Sequence, residues 1–139
     1  MTRVLGVDLG SQRIGLAISD DGRVLASAYQ LLQRGRSRAA DHAELADVVA
    51  ESGVALVVVG LPLSLSGRSG PAAHAIEAEV AELRQVLLVP IELCDERLTT
   101  VVASRSLGGR RPALKRAVID QMAAAEILQT WLDRQRRAS

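Results

Sequence analysis

The order of hydrophobic patterns along the 139 residues predicts an α/β fold, in which one mixed sheet carries helices on both faces. Three short apolar runs come first, at Val4–Asp8, Ile14–Ser19 and Val24–Leu32. Helical and strand-like segments then alternate to the end of the chain. An antiparallel meander followed by α/β crossovers produces a five-stranded sheet of order β-β-β-α-β-α-β-α-α. The length suits a single domain over residues 1–139.

The residues around the opening strands indicate how the strands are joined. Val4–Asp8 is predicted to be a buried strand that ends on a carboxylate. Asp20-Asp21-Gly22 predicts a tight hairpin turn, because Asp-Gly readily supplies the positive φ that such turns favour. Gly35–Ala40 is polar and Arg-rich, as expected of a connection.

The second half of the predicted fold alternates helices with buried strands. Val54–Val59 is almost wholly apolar and mostly β-branched, which is typical of a parallel strand buried on both faces. Gly53 stands where a helix would end. The last helix is expected to face the core with Val118, Met122, Ala125, Leu128 and Trp131 or Leu132. The predicted segments are helices at Asp41–Ser52, Ala72–Gln85, Thr99–Leu107 and Leu114–Arg136, and a further strand at Val86–Cys94.

Acidic residues stand at three points where the predicted sheet could bring them together. Asp8 ends the first strand, and Asp95-Glu96 follow the last one. Each could simply cap a turn or a helix, as Asp8 would do with Gly10 at positive φ. Asp120 lies inside a helix beside small apolar residues, where neither capping nor solvation explains it well. Because ligands bind beyond the carboxyl ends of strands in open α/β sheets, we expect one acidic site there.

Three converging carboxylates favour hydrolysis of a phosphodiester by a hard divalent metal. Two ions about 4 Å apart can activate water and neutralise the charge on the reacting oxygens. Mg²⁺ or Mn²⁺ is expected, because hard oxygen donors suit them. Cys94 is an unsuitable ligand for such ions, and the placement of His42 and His74 in predicted helices disfavours zinc. We find no serine nucleophile elbow and no Walker-type phosphate loop.

Composition adds expectations about the partner and the compartment. Residues 97–139 carry nine basic residues against three acids, within a chain of net charge +1. This asymmetry suits either an anionic partner or a solvated helix surface. With one Trp, one Tyr and no Phe, any nucleic acid would be held mainly through its phosphates and its shape. The absence of long apolar runs and the single cysteine favour a cytoplasmic protein without membrane contact.

Four motifs stand in order along nearly the whole chain: GVDLGSQRIGLAISD at Gly6–Asp20, VGLPLSLSG at Val59–Gly67, DERLTT at Asp95–Thr100 and IDQMAAAEILQTWL at Ile119–Leu132. Together they resemble the YqgF family, also called RuvX, which comprises pre-16S rRNA nucleases earlier described as Holliday junction resolvases. DERLTT is the most specific short match. The resemblance implies a ribonuclease H-like fold.

The resemblance also implies a site. The metal-binding acids of the family would fall on Asp8, Glu96 and Asp120, with Asp95 as an alternative to Glu96. The family loop usually continues Asn-Met-Asp-Gly, whereas this chain has Ser64-Leu65-Ser66-Gly67. That departure weakens any role carried over to the loop. Candidate contacts to nucleic acid are the basic residues in or near the motifs: Arg13, Arg68, Arg97, Arg110, Arg111, Lys115 and Arg116. Arg13 and Arg97 could equally be structural partners of the acids.

By resemblance, the expected activity is metal-dependent maturation of the 5′ end of precursor 16S rRNA, with endo- or exonucleolytic cleavage left open. A second reading is a resolvase that cuts four-way DNA as a two-fold dimer. A third is a non-catalytic, nucleic-acid-binding factor of ribosome assembly. The first motif also resembles a phosphate motif of the actin and sugar-kinase superfamily, but those proteins need two such domains to enclose ATP. The residues leave monomer and homodimer open.

Overall fold

A computed structural model describes residues 2–62, 70–95 and 113–138, with the side chains of the last helix described from residue 118 onward. In this part of the chain five strands and three helices form one α/β fold, which confirms the predicted class. The predicted helix at Thr99–Leu107 lies outside the described residues. The elements in chain order are β1 (Val4–Leu9), β2 (Arg13–Ser19), β3 (Ala26–Gln33), α1 (Arg38–Ser52), β4 (Leu56–Leu61), α2 (Pro71–Leu83), β5 (Ile91–Asp95) and α3 (Ala113–Ala138).

The strands of the described sheet run in the order β3-β2-β1-β4-β5, so that β1 is central. β1 pairs antiparallel with β2 and parallel with β4, and β4 pairs parallel with β5. The sheet is mixed, as predicted, and the opening meander and the crossovers meet at β1. Because β1, β4 and β5 run in one direction, their carboxyl ends lie along the same edge of the sheet.

Local chemistry explains where the elements depart from the predicted bounds. α1 begins at Arg38, because the Ser37 side chain accepts a hydrogen bond from the Ala40 amide and caps the helix. β5 begins only at Ile91, since the Val86 and Leu87 amides both turn back to the Leu83 carbonyl. In the β2–β3 turn Arg23, not Gly22, adopts positive φ (57°). The tight turn predicted from Asp-Gly was therefore wrong in the residue that adopts positive φ, which is Arg23.

The two faces of the sheet carry separate apolar cores. One core, on the face covered by α1 and α2, takes alternate residues of each strand, such as Leu5, Val7 and Leu9 of β1. The other lies under α3 and takes the intervening residues, including Val4 and Ala17. We call these the α1–α2 face and the α3 face. Strand alternation therefore assigns Asp8, next to Leu9, to the α3 face.

The inward stripe of α3 was predicted only in part. Leu128, Trp131 and Leu132 are buried, but Val118 and Met122 are about half exposed. The stripe instead begins one residue later, at Ile119 and Asp120, and continues through small residues. Its buried members in the described part of α3 are Ile119, Asp120, Ala123, Ala124, Ile127, Leu128, Trp131 and Leu132.

A side chain of α3 also covers the start of the edge strand β3. The Gln129 amide oxygen accepts a hydrogen bond from the Ala26 amide at 2.9 Å, and its nitrogen donates to the Val24 carbonyl at 2.9 Å. Arg136 donates to the same carbonyl. No helix in the described parts of the chain combines the length and the apolar character that crossing a membrane requires.

Candidate acidic site at the carboxyl edge of the sheet

Asp8 lies near the carboxyl end of the central strand and is 4% exposed. Its cross-strand partner is Gly15 of β2. Directly paired residues of antiparallel strands point to the same side of the sheet, and the α-carbon of Gly15 faces α3. The Asp8 side chain therefore points to the α3 face, beside a position that has no side chain.

Asp120 reaches the same place from α3. A β-carbon on Gly15 would overlap the backbone carbonyl oxygen of Asp120, so that the helix rests directly on the strand backbone. Two turns further along, a β-carbon on Gly6 would stand 2.7 Å from the β-carbon of Leu128. Glycines on β1 and β2 thus allow the close approach that the small residues of α3 predicted. Asp120 is 8% exposed, and its backbone lies over Gly15, the cross-strand partner of Asp8.

Arg13 forms an ion pair with Asp120. Its Nε lies 3.0 Å from Oδ2 of Asp120, and both side chains are 12% exposed. Arg13 begins β2 on the α3 face, in alternation with Ile14 on the other face. Of the two roles that the sequence left open for Arg13, this geometry corresponds to a structural partner of a site acid, although of Asp120 and not of Asp8.

Asp95 is not on the same face as Asp8. In β5, Ile91 packs in the α1–α2 core, whereas Cys94 packs under α3 with its sulfur 3.9 Å from the Ile127 carbonyl oxygen. Alternation along β5 places Asp95 with Ile91. Glu96 lies outside the described residues. Among the described residues no group of three metal-ligating side chains is found, so the described part of the site consists of Asp8 and Asp120.

The turn that joins β1 to β2 is short and closely packed. The Gly10 amide donates to the Asp8 carbonyl at 3.1 Å. A β-carbon on Gly10 would stand 2.6 Å from the Arg13 carbonyl oxygen. Gly10 is thus required by close backbone approach, whereas the positive φ considered from sequence is not observed there. The turn holds Asp8 and Arg13 at a fixed separation.

A buried ionic network, which sequence reasoning missed, lies beside this turn. Arg34 donates from Nη1 and Nη2 to the two oxygens of Glu79 at 2.8 and 2.9 Å, and from Nε to the Gly10 carbonyl at 2.8 Å. Nε2 of His42 lies 2.8 Å from Glu79, and Asp41 accepts from the Gly35 amide at 2.7 Å. The sequence did contain a signal for this network. His42 stands at helical spacing with the apolar residues at 45 and 49, and Glu79 with those at 76 and 83, so both belong to the inward faces of their helices.

The charges in this network hold one another in their ionised forms. Burial alone would raise the pKa of Glu79, but the hydrogen bonds from Arg34 and His42 outweigh it and keep that pKa below its ordinary value. The same hydrogen bonds to Glu79 raise the pKa of Arg34. Arg34 and Glu79 therefore form an ion pair near neutrality.

Most of the predicted nucleic-acid contacts cannot be placed. Four of these residues lie outside the described residues: Arg68, Arg97, Arg110 and Arg111. Lys115 and Arg116 belong to α3, but their side chains are outside the described part of the structure. The Ser64-Leu65-Ser66 departure also falls outside them. The described acids nevertheless suit a hard divalent metal, because both are carboxylates and both are buried on one face of the sheet.

Comparisons with known proteins identify the family to which the chain belongs. The profile of the RuvX family, described as Holliday junction resolvase, matches residues 2–134. A relative from Mycobacterium sp. (strain KMS) is 48% identical over 139 residues, which cover 98% of this chain and 82% of the relative. One from Mycobacterium leprae (strain Br4923) is 50% identical over 141 residues, covering 99% and 76%. Both carry the name "Putative pre-16S rRNA nuclease".

Among solved structures, Thermus thermophilus RuvC in complex with a Holliday junction substrate superimposes with a TM-score of 0.60 at 16% identity, over 98% of this chain and 96% of that one. At this identity the likeness concerns the fold, which is ribonuclease H-like as the motifs implied. The profile match and the mycobacterial relatives are stronger evidence, since those relatives are about half identical to this chain over nearly its whole length. The chain belongs to the RuvX family.

Proposed function

We propose that this protein is a metal-dependent nuclease whose catalytic and metal-binding acids are Asp8, Glu96 and Asp120. The observation that carries the proposal is the burial of Asp8 and Asp120 on one face of the sheet, where both adjoin Gly15. Carboxylate oxygens are the ligands that hard divalent cations prefer. A divalent cation held by these acids at the carboxyl edge would be within reach of a phosphate there.

The second strand-end ligand is proposed to be Glu96 rather than Asp95. Asp95 shares the face of Ile91, away from Asp8, whereas Cys94 lies under α3. Continued alternation would return position 96 to the α3 face. Asp95 is therefore left with a structural role in this proposal.

The chain's own groups would divide the work of hydrolysis. Bound Mg²⁺ or Mn²⁺, as a pair of ions, supplies an activated water and neutralises charge on the phosphate. Asp8, Glu96 and Asp120 would hold the ions by carboxylate oxygens. Arg13 would keep Asp120 directed at the edge by its 3.0 Å ion pair. Arg68, Arg97, Arg110, Arg111, Lys115 and Arg116 are proposed to contact the phosphates of the substrate.

The proposed substrate is precursor 16S rRNA, cleaved at its 5′ end in the cytoplasm. Support comes from the name shared by the mycobacterial relatives, which are about half identical over nearly the whole chain. The family description and the RuvC complex favour a second candidate, a four-way DNA junction cut by a two-fold dimer. The third candidate, a non-catalytic assembly factor, is less favoured, because a binding surface gains nothing from buried acids at the carboxyl edge of the sheet.

One cleavage assay separates these functions. Precursor 16S rRNA and a synthetic four-way junction are incubated side by side with the full chain and Mg²⁺ or Mn²⁺, with EDTA as the metal-free arm. We expect cleavage of the precursor by the wild type. Asp8→Asn and Asp120→Asn should be slower by at least about a hundredfold, since each removes a metal ligand. Asp47→Asn, the same substitution at an exposed position of α1, is the matched control.

The outcomes decide between the candidates. Cleavage by both site variants at the rate of Asp47→Asn would refute the metal site. Cleavage of the junction alone would replace rRNA by branched DNA as substrate. Tight binding of the precursor without cleavage under either metal would point to the assembly factor.

A further inference from the structure

We propose that Arg34 is a positioning residue of the acidic site, which it serves by fixing the turn between β1 and β2. Arg34 follows β3 directly and lies on neither β1 nor α3, the elements that carry Asp8 and Asp120. The effect of Arg34 on metal binding rests on the function proposed above, whereas its effect on the turn is independent of that function.

The turn consists of only three residues, Gly10, Ser11 and Gln12, and Arg34 binds two of their carbonyls. Its Nε donates to the Gly10 carbonyl at 2.8 Å, and its backbone amide donates to the Gln12 carbonyl at 3.0 Å. The Gly10 amide is already bound to the Asp8 carbonyl. One residue therefore binds both ends of the turn, two residues after Asp8 and immediately before Arg13.

The guanidinium itself is held in place by two helices. Glu79 of α2 accepts both Nη groups, and Asp41 of α1 lies 3.6 Å from Nη1. The Arg34 side chain is 16% exposed and that of Glu79 is 8% exposed. A planar guanidinium bound at both Nη atoms leaves Nε in one fixed direction, and that direction is the Gly10 carbonyl. A lysine ammonium cannot make both contacts with this geometry.

The position of the turn matters because it joins two groups of the candidate site. Asp8 lies two residues before Gly10, and Arg13, which binds Asp120 at 3.0 Å, lies three residues after it. A shift of the turn would move Asp8 along its strand end and would redirect the ion pair with Asp120. A network that only stabilised the fold would leave these two positions unchanged in molecules that remain folded.

The experiment measures the turn and the site separately in Arg34→Lys, which keeps the charge. Amide hydrogen exchange of residues 9–14 reports on the turn, and calorimetric titration with Mn²⁺ reports on the acids. We expect faster exchange in residues 9–14 and Mn²⁺ affinity weakened about tenfold, as when partners behind metal ligands are lost.

Two controls separate positioning from stability. Leu45→Val or Leu45→Ala, whichever matches the unfolding free energy of Arg34→Lys, weakens the same core without touching the turn. Arg38→Lys makes the same exchange in the exposed pair of Arg38 with Glu82, which joins the same helices. In both control variants the amides of residues 9–14 should exchange at the wild-type rate, and Mn²⁺ should bind with the wild-type affinity.

If Arg34→Lys matches the Leu45 variant in both measurements, the positioning role is refuted. If the wild type itself binds no Mn²⁺, the proposed metal site fails. In that case unchanged exchange of residues 9–14 in Arg34→Lys still overturns the role of Arg34, and faster exchange supports it.

Discussion

The two faces of the sheet bury acidic residues in different ways. On the α1–α2 face, Glu79 and Asp41 lie in a network in which Arg34 meets both of them. Branched side chains fill the rest of that layer. On the α3 face, Asp8 and Asp120 lie at a contact where the helix rests on glycine. Both faces hold an ion pair, but the pair on the α1–α2 face is bidentate and enclosed by side chains, whereas the Arg13–Asp120 pair lies at a contact that depends on the absence of a side chain.

This difference separates two uses of buried charge within one small domain. A bidentate arginine–carboxylate pair satisfies its own hydrogen bonds and can serve purely as a structural tie. Acids gathered at a strand end beside a backbone contact leave room for a ligand to approach. We expect the first face to be sensitive to loss of a charge and the second to be sensitive to a single added methyl group.

The largest effect on stability is expected from Glu79→Ala. The change leaves Arg34 buried without its bidentate partner, and breaking one side of a buried pair costs about 3–5 kcal/mol of unfolding free energy. Urea denaturation of the purified chain measures it. The matched control is Glu82→Ala, in the exposed pair with Arg38. Equal losses in both variants would contradict the contrast between buried and exposed pairs.

A smaller loss of stability, with a large loss of function, is expected from Gly15→Ala. The added methyl overlaps the Asp120 carbonyl, so that α3 must move, at a cost of about 1–3 kcal/mol. Displacing Asp120 by about 1 Å should slow cleavage about a hundredfold. Gly22→Ala is the control, because its methyl would stand 3.5 Å from the nearest atom. Wild-type cleavage by Gly15→Ala would show that the helix contact does not position the site.

A pH-dependent effect should belong to the α1–α2 face. The pKa of Glu79 lies below its ordinary value of 4.5 in the folded protein. Ionised Glu79 therefore stabilises the fold above pH 4.5, and this stabilisation is lost as the pH falls below 4.5 through the folded pKa. The difference in unfolding free energy between wild type and Glu79→Gln should narrow from pH 7 to pH 3.5. A difference that stays constant over this range would contradict the assignment.

The smallest effect is expected from Arg38→Ala. Its ion pair with Glu82 is short, at 2.6 Å, but both side chains are about half exposed. Solvent screening limits such pairs to about 0–1 kcal/mol. The same urea titration detects the change, and a loss comparable to that of Glu79→Ala would show that burial is not what distinguishes the two pairs.

Sequence reasoning reached the fold and the acids because both depend on local patterns. Strand-like runs and capping residues fixed the element order, and acids at strand ends could be recognised one by one. The predicted inward stripe of α3 was wrong at Val118 and Met122, which are about half exposed. In the folded chain the small residues of α3 face the glycines of β1 and β2 instead. Arg34 was missed because its side-chain partners lie 24, 7 and 45 positions away, at Gly10, Asp41 and Glu79, and only folding brings them together.

Gln129 has a consequence for how copies of this chain meet one another. β3 is an edge strand, and open backbone groups at such an edge can recruit a strand from another molecule, which begins aggregation. The Gln129 side-chain amide offers the same donor and acceptor as a peptide group, and it already occupies Val24 and Ala26. An incoming strand would have to displace the helix side chain first. The helix that supplies Asp120 to one end of the sheet thus also protects the opposite end of β3 from unwanted pairing.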